Sequence, residues 1–339
     1  MEPHTKERKT MKICSKCVLP DTFPGISFNS SGICVFCDAI EKSVQSGRTK
    51  DLERKFLEVV ERNRGTSLFD CVVAYSGGKD SSYLLDLLVG KYDLKVLAVT
   101  FDNWFLSDRA LSNIRVVTKA LDVSHILIRP PYGLMKRLFH KASKEELYSR
   151  KSLERASTIC TTCISFVRFS CLRTALEKDI PLVVFGFNPG QMPEGAGIVK
   201  TNAALLRALQ HSIYGPISAV VNDEARAFFL EERHFSSGCR FPHMANPFAF
   251  VDYREEEIYA RIHQVGWQQV VDTDENSTNC LLNSYANVVH YNKYGYHPYV
   301  SEIAKMVRRG EIDRAEGLRR VKAPQVNQLV MAISRQLNE

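Results

Sequence analysis

Residues 71–88 decide the fold: Cys71-Val-Val-Ala-Tyr75, then Ser76-Gly77-Gly78-Lys79-Asp80-Ser81-Ser82, then Tyr83-Leu84-Leu85-Asp86-Leu87-Leu88. The first five form a short β-prone apolar run, as a buried parallel strand requires. The last six carry the apolar stripe of a helix. A strand, a glycine loop and a helix N-terminus together make an anion cradle. Backbone N–H groups point at a phosphate, and the helix dipole favours its charge. Gly77 and Gly78 let the backbone approach the ligand. Lys79 and the hydroxyls of Ser76, Ser81 and Ser82 supply further donors. The spacing is not that of the Walker A loop.

Outward from this loop, strands and helices alternate. Lys95–Phe101 reads as a second strand ending at Asp102-Asn103, and Ser107–Leu121 as a helix. Ser124–Ile128 reads as a third strand and Pro181–Gly186 as a fourth. This alternation predicts an α/β fold with a doubly wound parallel sheet. Ligands of such sheets bind beyond the carboxyl ends of the strands. One crevice should therefore hold Ser76–Ser82, Asp102-Asn103 and Gly186-Phe187-Asn188, with Asp102 a candidate for Mg²⁺ or ribose. Residues 188–200, with Gly190, Gly195 and Gly197, read as a mobile loop over the crevice. Residues 202–230 and 254–262 read as helices, with Glu255, Glu256 and Glu257 on a solvated face. The aromatic and histidine cluster from Tyr285 to Tyr299 reads as a helical core edge.

The chain has 339 residues, 45% hydrophobic and 24% charged, which excludes disorder and allows one large domain or two modest ones. No apolar run approaches the ~18 residues of a membrane span. Residues 1–10 are polar and basic and lack the apolar region of a signal peptide, so a cytoplasmic protein is expected. The net charge of +7 suits anionic ligands. Over half of it falls between Lys305 and Lys322.

Ten cysteines without a secretion signal point to metal or redox chemistry in a reducing compartment. Cys14-Ser-Lys-Cys17 and Cys34-Val-Phe-Cys37 form a double C-x-x-C whose halves are 16 residues apart. That gap fits a four-thiolate zinc site, and the Pro, Gly and Asn residues between provide turns. A closed tetrahedral thiolate shell leaves no catalytic position, so the site is expected to be a structural zinc ribbon. A rubredoxin-like iron is the other four-thiolate option. Cys160-Thr-Thr-Cys163 falls at the start of a helix, where thiolates are favoured. Two small thiols in a helix core would look the same. Cys71 and Cys171 read as core.

The Ser76–Ser82 loop resembles that of the PP-loop ATP pyrophosphatases. The resemblance implies ATP cleavage between the α and β phosphates and transfer of AMP to a substrate oxygen. It implies ATP and Mg²⁺ as ligands, catalytic roles for Ser76, Lys79, Asp80 and Ser81, and nucleotide contacts extending to Gly77, Gly78, Ser82, Asp102, Asn103 and Gly186. Cys14–Gly25, Gly32–Cys37, Gly186-Phe-Asn-Pro189 and residues 303–318 narrow it. Together they resemble the N-acetyl sugar amidotransferase family of surface-polysaccharide biosynthesis. Those enzymes adenylate an acetamido oxygen, and ammonia from a separate glutaminase subunit displaces AMP. The resemblance therefore implies a glutaminase partner and a sugar or nucleotide-sugar substrate. A C-x-x-C after the third strand also resembles the PP-loop tRNA thiolases. This implies an alternative: sulfur transfer to tRNA or a small molecule, with a [4Fe-4S] cluster on Cys160, Cys163 and Cys280, or with Cys239 as the third ligand. A ribbon protein that only binds a partner would not need an intact Ser76–Ser82 loop. The expected organisation is a disordered basic tail at 1–10, a zinc ribbon at 11–40, a helical linker at 41–66, the ATP-binding domain at 67–270 and a helical C-terminal region at 271–339.

Overall fold

A computed structural model describes residues 11–41, 48–188, 190–191, 197–236 and 238–338. The tail expected at 1–10 lies outside them. In chain order the elements are α1 (Val35–Glu41), α2 (Arg48–Asn63), β1 (Cys71–Ala74), α3 (Lys79–Asp86), β2 (Val96–Phe101), α4 (Asp108–Ala120), β3 (Ser124–Ile128), α5 (Tyr132–Lys144), α6 (Arg150–Leu153) and α7 (Thr158–Glu177). There follow β4 (Leu182–Val184), β5 (Ile198–Lys200), α8 (Ala203–Val221), β6 (His243–Ala245), α9 (Glu255–Gln264), α10 (Leu282–Tyr294), α11 (Val300–Arg309), α12 (Arg314–Arg320) and α13 (Gln328–Asn338).

The fold is α/β, built on a six-stranded sheet in the order β3-β2-β1-β4-β6-β5. Five strands run parallel, and β5 is the antiparallel edge. The chain winds from β1 outward through β2 and β3, then returns to place β4 on the other side of β1. The loop after β1 therefore stands at the topological switch point, where such sheets open a crevice.

Both faces of the sheet are buried, which is why its strands are near-continuous apolar runs. Cys71 and Val73 of β1 join a core with α3, α9 and the N-terminal cysteines. The intervening Val72 joins the opposite core, under α5, α7 and α10. This is the two-residue alternation of a strand. Among the described residues, α7 alone has the length and hydropathy of a membrane span. No continuous apolar run announced it, because Arg168 and Arg173 interrupt the sequence. It packs instead as the central helix of the second core, with Phe166, Phe169 and Leu172 fully buried.

Three expectations are corrected. The end of the predicted mobile loop is β5, which pairs with β6 in register Val199 to Met244. The helical linker expected at 41–66 appears as the end of α1 and as α2, with 42–47 outside the described residues. Glu255 does not lie on a solvated face; it is half-buried against Lys79 and Arg320.

The ribbon docks on the C-terminal helices. Arg314 donates to the carbonyls of Cys14 (2.8 Å) and Cys17 (3.0 Å). Phe23 packs edge-on to Tyr296 with centroids 5.4 Å apart.

Candidate active site

The loop after β1 is shaped by a contact only glycine permits. Gly77 has φ +72°, and a Cβ there would fall 2.3 Å from the Ala110 carbonyl oxygen. Its own carbonyl accepts from Trp267 Nε1 at 2.9 Å. At Gly78 a Cβ would sit 2.9 Å from Thr278 Oγ1. Residues 276–279, nearly two hundred positions away in sequence, thus lie directly against the loop. Lys79 N donates to Thr278 Oγ1 at 2.8 Å. The hydroxyls of Ser76 and Ser81 are 3.1 Å apart across the loop, while Ser82 meets Tyr75 OH at 3.3 Å beneath it. Gly78 is the N-cap of α3 and offers no side-chain cap, so the helix start keeps donors for a ligand.

A pocket of about 250 Å³ opens above. Ser76, Gly78, Asp80 and Ser81 line it from the loop, Gly186 and Phe187 from the end of β4, and residues 276–279 from the far side. Gly186 lets β4 approach α3; a Cβ there would lie 3.3 Å from Leu84 Cδ2 and 3.6 Å from Ser81 Cα.

Lys79 and Asp102 are turned elsewhere. Lys79 Nζ is buried, 2.8 Å from Tyr253 OH and 2.7 Å from Glu255 Oε1. Asp80 Oδ1 accepts from the same Tyr253 hydroxyl at 2.6 Å, and Glu255 is also held by Arg320 at 2.6 Å. Burial alone would raise the Glu255 carboxyl, but Arg320 and Lys79 hold it down to about 2. Asp102 is ion-paired with Arg129 at 2.6 Å, and neither it nor Asn103 lines the pocket. Beside them Trp104 adopts φ +73°, a left-handed backbone rare for a bulky residue, with the Arg129 guanidinium 4.9 Å from its ring. Sequence reasoning missed Thr278, Tyr253, Glu255 and Trp104. For Glu255 the available signal was Tyr259 four residues on, which shares its helix face and also lies against Lys79.

The end of β2 gathers two cysteines. An isolated bridge between Leu106 and Cys280 brings the C-terminal region alongside the β2–α4 connection. Asn103 Nδ2 then lies 3.3 Å from Cys163 Sγ and 3.6 Å from Cys280 Sγ. Asn283 Nδ2 reaches Cys160 Sγ at 3.7 Å. Burial pushes the Cys160 thiol up to about 11 and raises Cys163 and Cys280 as well. Cys239 lies with Ser236 and the Arg233 carbonyl instead. Beyond Cys160 a second cavity of about 640 Å³ adjoins the first, sharing Ile164, Phe185, Phe187, Gln191 and Tyr299.

The ribbon cysteines are far more tightly gathered. Cys14 and Cys37 sulfurs are 3.9 Å apart, Cys17 and Cys34 sulfurs 3.7 Å. Four thiolates around an ion at ~2.3 Å in a tetrahedron stand just under 4 Å from one another, so the set fits zinc. Burial opposes ionisation of Cys14, but the backbone N–H groups of Cys17, Cys34 and Lys16 bring it down to about 6. Among the described residues these four are the one group of potential ligands gathered to within 4.8 Å. Cys160, Cys163 and Cys280 are more widely spread, too open to close around a single tetrahedral ion as they stand.

No protein-family profile matches the chain. It is 24% identical over 315 residues to an uncharacterized protein of Methanocaldococcus jannaschii, covering 92% of this chain and 94% of that one. Among solved structures it is similar to a U34-tRNA thiolase from Methanococcus maripaludis with its [4Fe-4S] cluster, at a TM-score of 0.39 and 14% identity over 97% of this chain and 89% of that one. An NH3-dependent NAD synthetase from Campylobacter jejuni gives a TM-score of 0.35 at 14% identity over 87% and 94%. An NMN synthetase from Francisella tularensis gives 0.33 at 12% over 83% and 98%.

Proposed function

We propose that the chain is an ATP-dependent, AMP-forming amidotransferase acting on an N-acetyl sugar. The observation that carries this is the Ser76–Ser82 loop at the switch point, lining a pocket of about 250 Å³ that shares a wall with a second, larger cavity. The first takes ATP and the second the acceptor. The acceptor's acetamide oxygen attacks the α-phosphorus and pyrophosphate leaves. Ammonia then adds to the activated carbon, the C–O bond to AMP breaks, and an acetamidino group remains.

The protein's part is to position both substrates and to exclude water. Ser76, Ser81 and the backbone of the loop bind phosphate oxygens. Asp80 lines the pocket and, with Oδ1 held by Tyr253 and Lys79, keeps its other oxygen for Mg²⁺ accompanying ATP, whereas Asp102 is paired with Arg129 and does not line the pocket. Lys79 holds the loop through Tyr253 and Glu255. A separate glutaminase subunit supplies the ammonia. Zinc on Cys14, Cys17, Cys34 and Cys37 locks the ribbon against the C-terminal helices.

A second reading is favoured by the Asn103 amide shared between Cys163 and Cys280. Under it the middle cysteines hold an iron–sulfur cluster, and sulfur is transferred to tRNA or a small molecule. One assay separates the two. Ammonium-dependent AMP release in the presence of an N-acetyl sugar is expected of the amidotransferase. ADP and orthophosphate as products would overturn both readings, and a bound cluster with no ammonium response would overturn the first.

A further inference from the structure

Among the described residues, the second cavity has arginine but no carboxylate on its wall. One face of α7 forms its wall, with Cys160, Ile164 and Arg168 at successive turns. Arg168 is half-buried, and among the described residues it has neither a hydrogen-bond nor an ion-pair partner. Burial alone acts on its guanidinium and lowers its pKa. Among the described residues the only other charged side chain on the wall is Arg155, at an exposed position, and no carboxylate lines the cavity. A half-buried guanidinium on a cavity wall with no carboxylate partner among the described residues keeps its donors free for an anionic ligand. Two asparagines of the same wall, Asn246 and Asn287, each keep a buried amide oxygen without a donor. The remaining lining is largely apolar, including Phe185, Phe187 and Met244.

We propose that Arg168 anchors an anion subsite, and that the cavity selects a small acceptor bearing a phosphate or carboxylate together with hydroxyl or amide donors. This rests on the cavity being the acceptor site, as proposed above. Ile164 borders both cavities, and Arg168 lies one helical turn further along α7. At ~1.5 Å rise per residue that turn is ~6 Å. A sugar ring with an acidic substituent spans such a distance, while a bare acetamide does not. A guanidinium forms paired hydrogen bonds with either phosphate or carboxylate.

Calorimetry with three probes tests this without ATP or ammonia: N-acetylglucosamine, its 1-phosphate, and N-acetylmuramic acid. Wild type should bind at least one acidic sugar about tenfold more tightly than the neutral one, and which of the two it prefers separates phosphate from carboxylate. Arg168→Met should abolish that preference, and Arg168→Lys should keep part of it. Because Arg168 is half-buried and has no partner among the described residues, Arg168→Met should leave the melting temperature essentially unchanged. Equal affinity of wild type for neutral and acidic sugars, including no binding of any, overturns the proposal. So does a preference that survives in Arg168→Met, or destabilisation of that variant, which would reveal a structural role. A matching loss of ATP affinity in Arg168→Met would assign the residue to the nucleotide instead. Failure of ammonium-dependent AMP release would count against the amidotransferase reading and leave the anion preference standing.

Discussion

In the ribbon, four cysteines from one short stretch of chain stand 3.7–3.9 Å apart in their pairs, buried, with backbone N–H groups aimed at Cys14. At the crevice, Cys160 and Cys163 from α7 meet Cys280 from the far end of the chain, each still partly accessible and approached by side-chain amides. The contrast extends beyond sulfur. Around the ribbon, Arg314 ties two of the cysteine carbonyls to α12. Around the crevice, Glu302 Oε2, Asn246 Oδ1 and Asn287 Oδ1 are buried without partners. The ribbon is arranged for stability. The crevice keeps polar groups unsatisfied, a cost proteins tolerate where a ligand is to be bound.

The largest effect that would sharpen this contrast is at the ribbon. Cys14→Ser removes a ligand from a closed site whose metal contributes on the order of 10 kcal/mol in small zinc domains. The variant should lose its metal and melt far below wild type or fail to fold. Metal analysis should find one zinc per wild-type chain, and a chelator should reproduce the loss. A metal-free wild type with unchanged stability would erase the distinction between the two regions.

Stability at the crevice should move the other way. Burial raises the Glu302 carboxyl to about 7. Below its ordinary value near 4.5 the group is protonated in both folded and unfolded chains and costs nothing. As pH rises towards 7 the unfolded chain releases its proton first, so the folded state is progressively penalised. A rise from 4.5 to about 7 corresponds to about 3 kcal/mol. Glu302→Gln keeps an acceptor for Asn188 Nδ2 and removes the charge. Its melting temperature should exceed that of wild type at pH 8 and coincide with it near pH 4. A variant less stable at pH 8 would show that the charge is compensated and that the crevice is not strained at this point.

The same contrast explains what was legible in the sequence. The ribbon and the β1–loop–α3 unit are local: a C-x-x-C spacing, a two-residue alternation, a glycine pair before a helical stripe. Each is written within a few dozen residues. The partners of the loop are not. Thr278 and Glu255 reach it through contacts across 199 and 176 positions, and only the helical spacing to Tyr259 sets Glu255 apart from Glu256 and Glu257. The strands β5 and β6 are three residues each, too short for an alternating pattern to register. Arg168 reads as one cation in a helix until the cavity beside it is seen.

The smallest stability effect is expected at Cys280, and it decides most about the chemistry. Cys280 behaves as a small apolar side chain beside Leu106 and Asn103, so Cys280→Ser should change stability by no more than about 1 kcal/mol. If nitrogen is the nucleophile, ammonium-dependent AMP release persists in this variant, because no step requires the thiol. If sulfur is the nucleophile, the serine removes a cluster ligand. The anaerobically purified protein then loses its colour, and product formation stops while ATP still binds. Cys239→Ser serves as the control: the sequence offered it as a third ligand, but it lies with Ser236 and Arg233 instead. Intact ammonium-dependent turnover in Cys280→Ser would leave the three crevice cysteines as packing. A colourless, inactive Cys280→Ser beside a coloured wild type would make them the reactive centre and turn the amidotransferase reading into one of sulfur transfer.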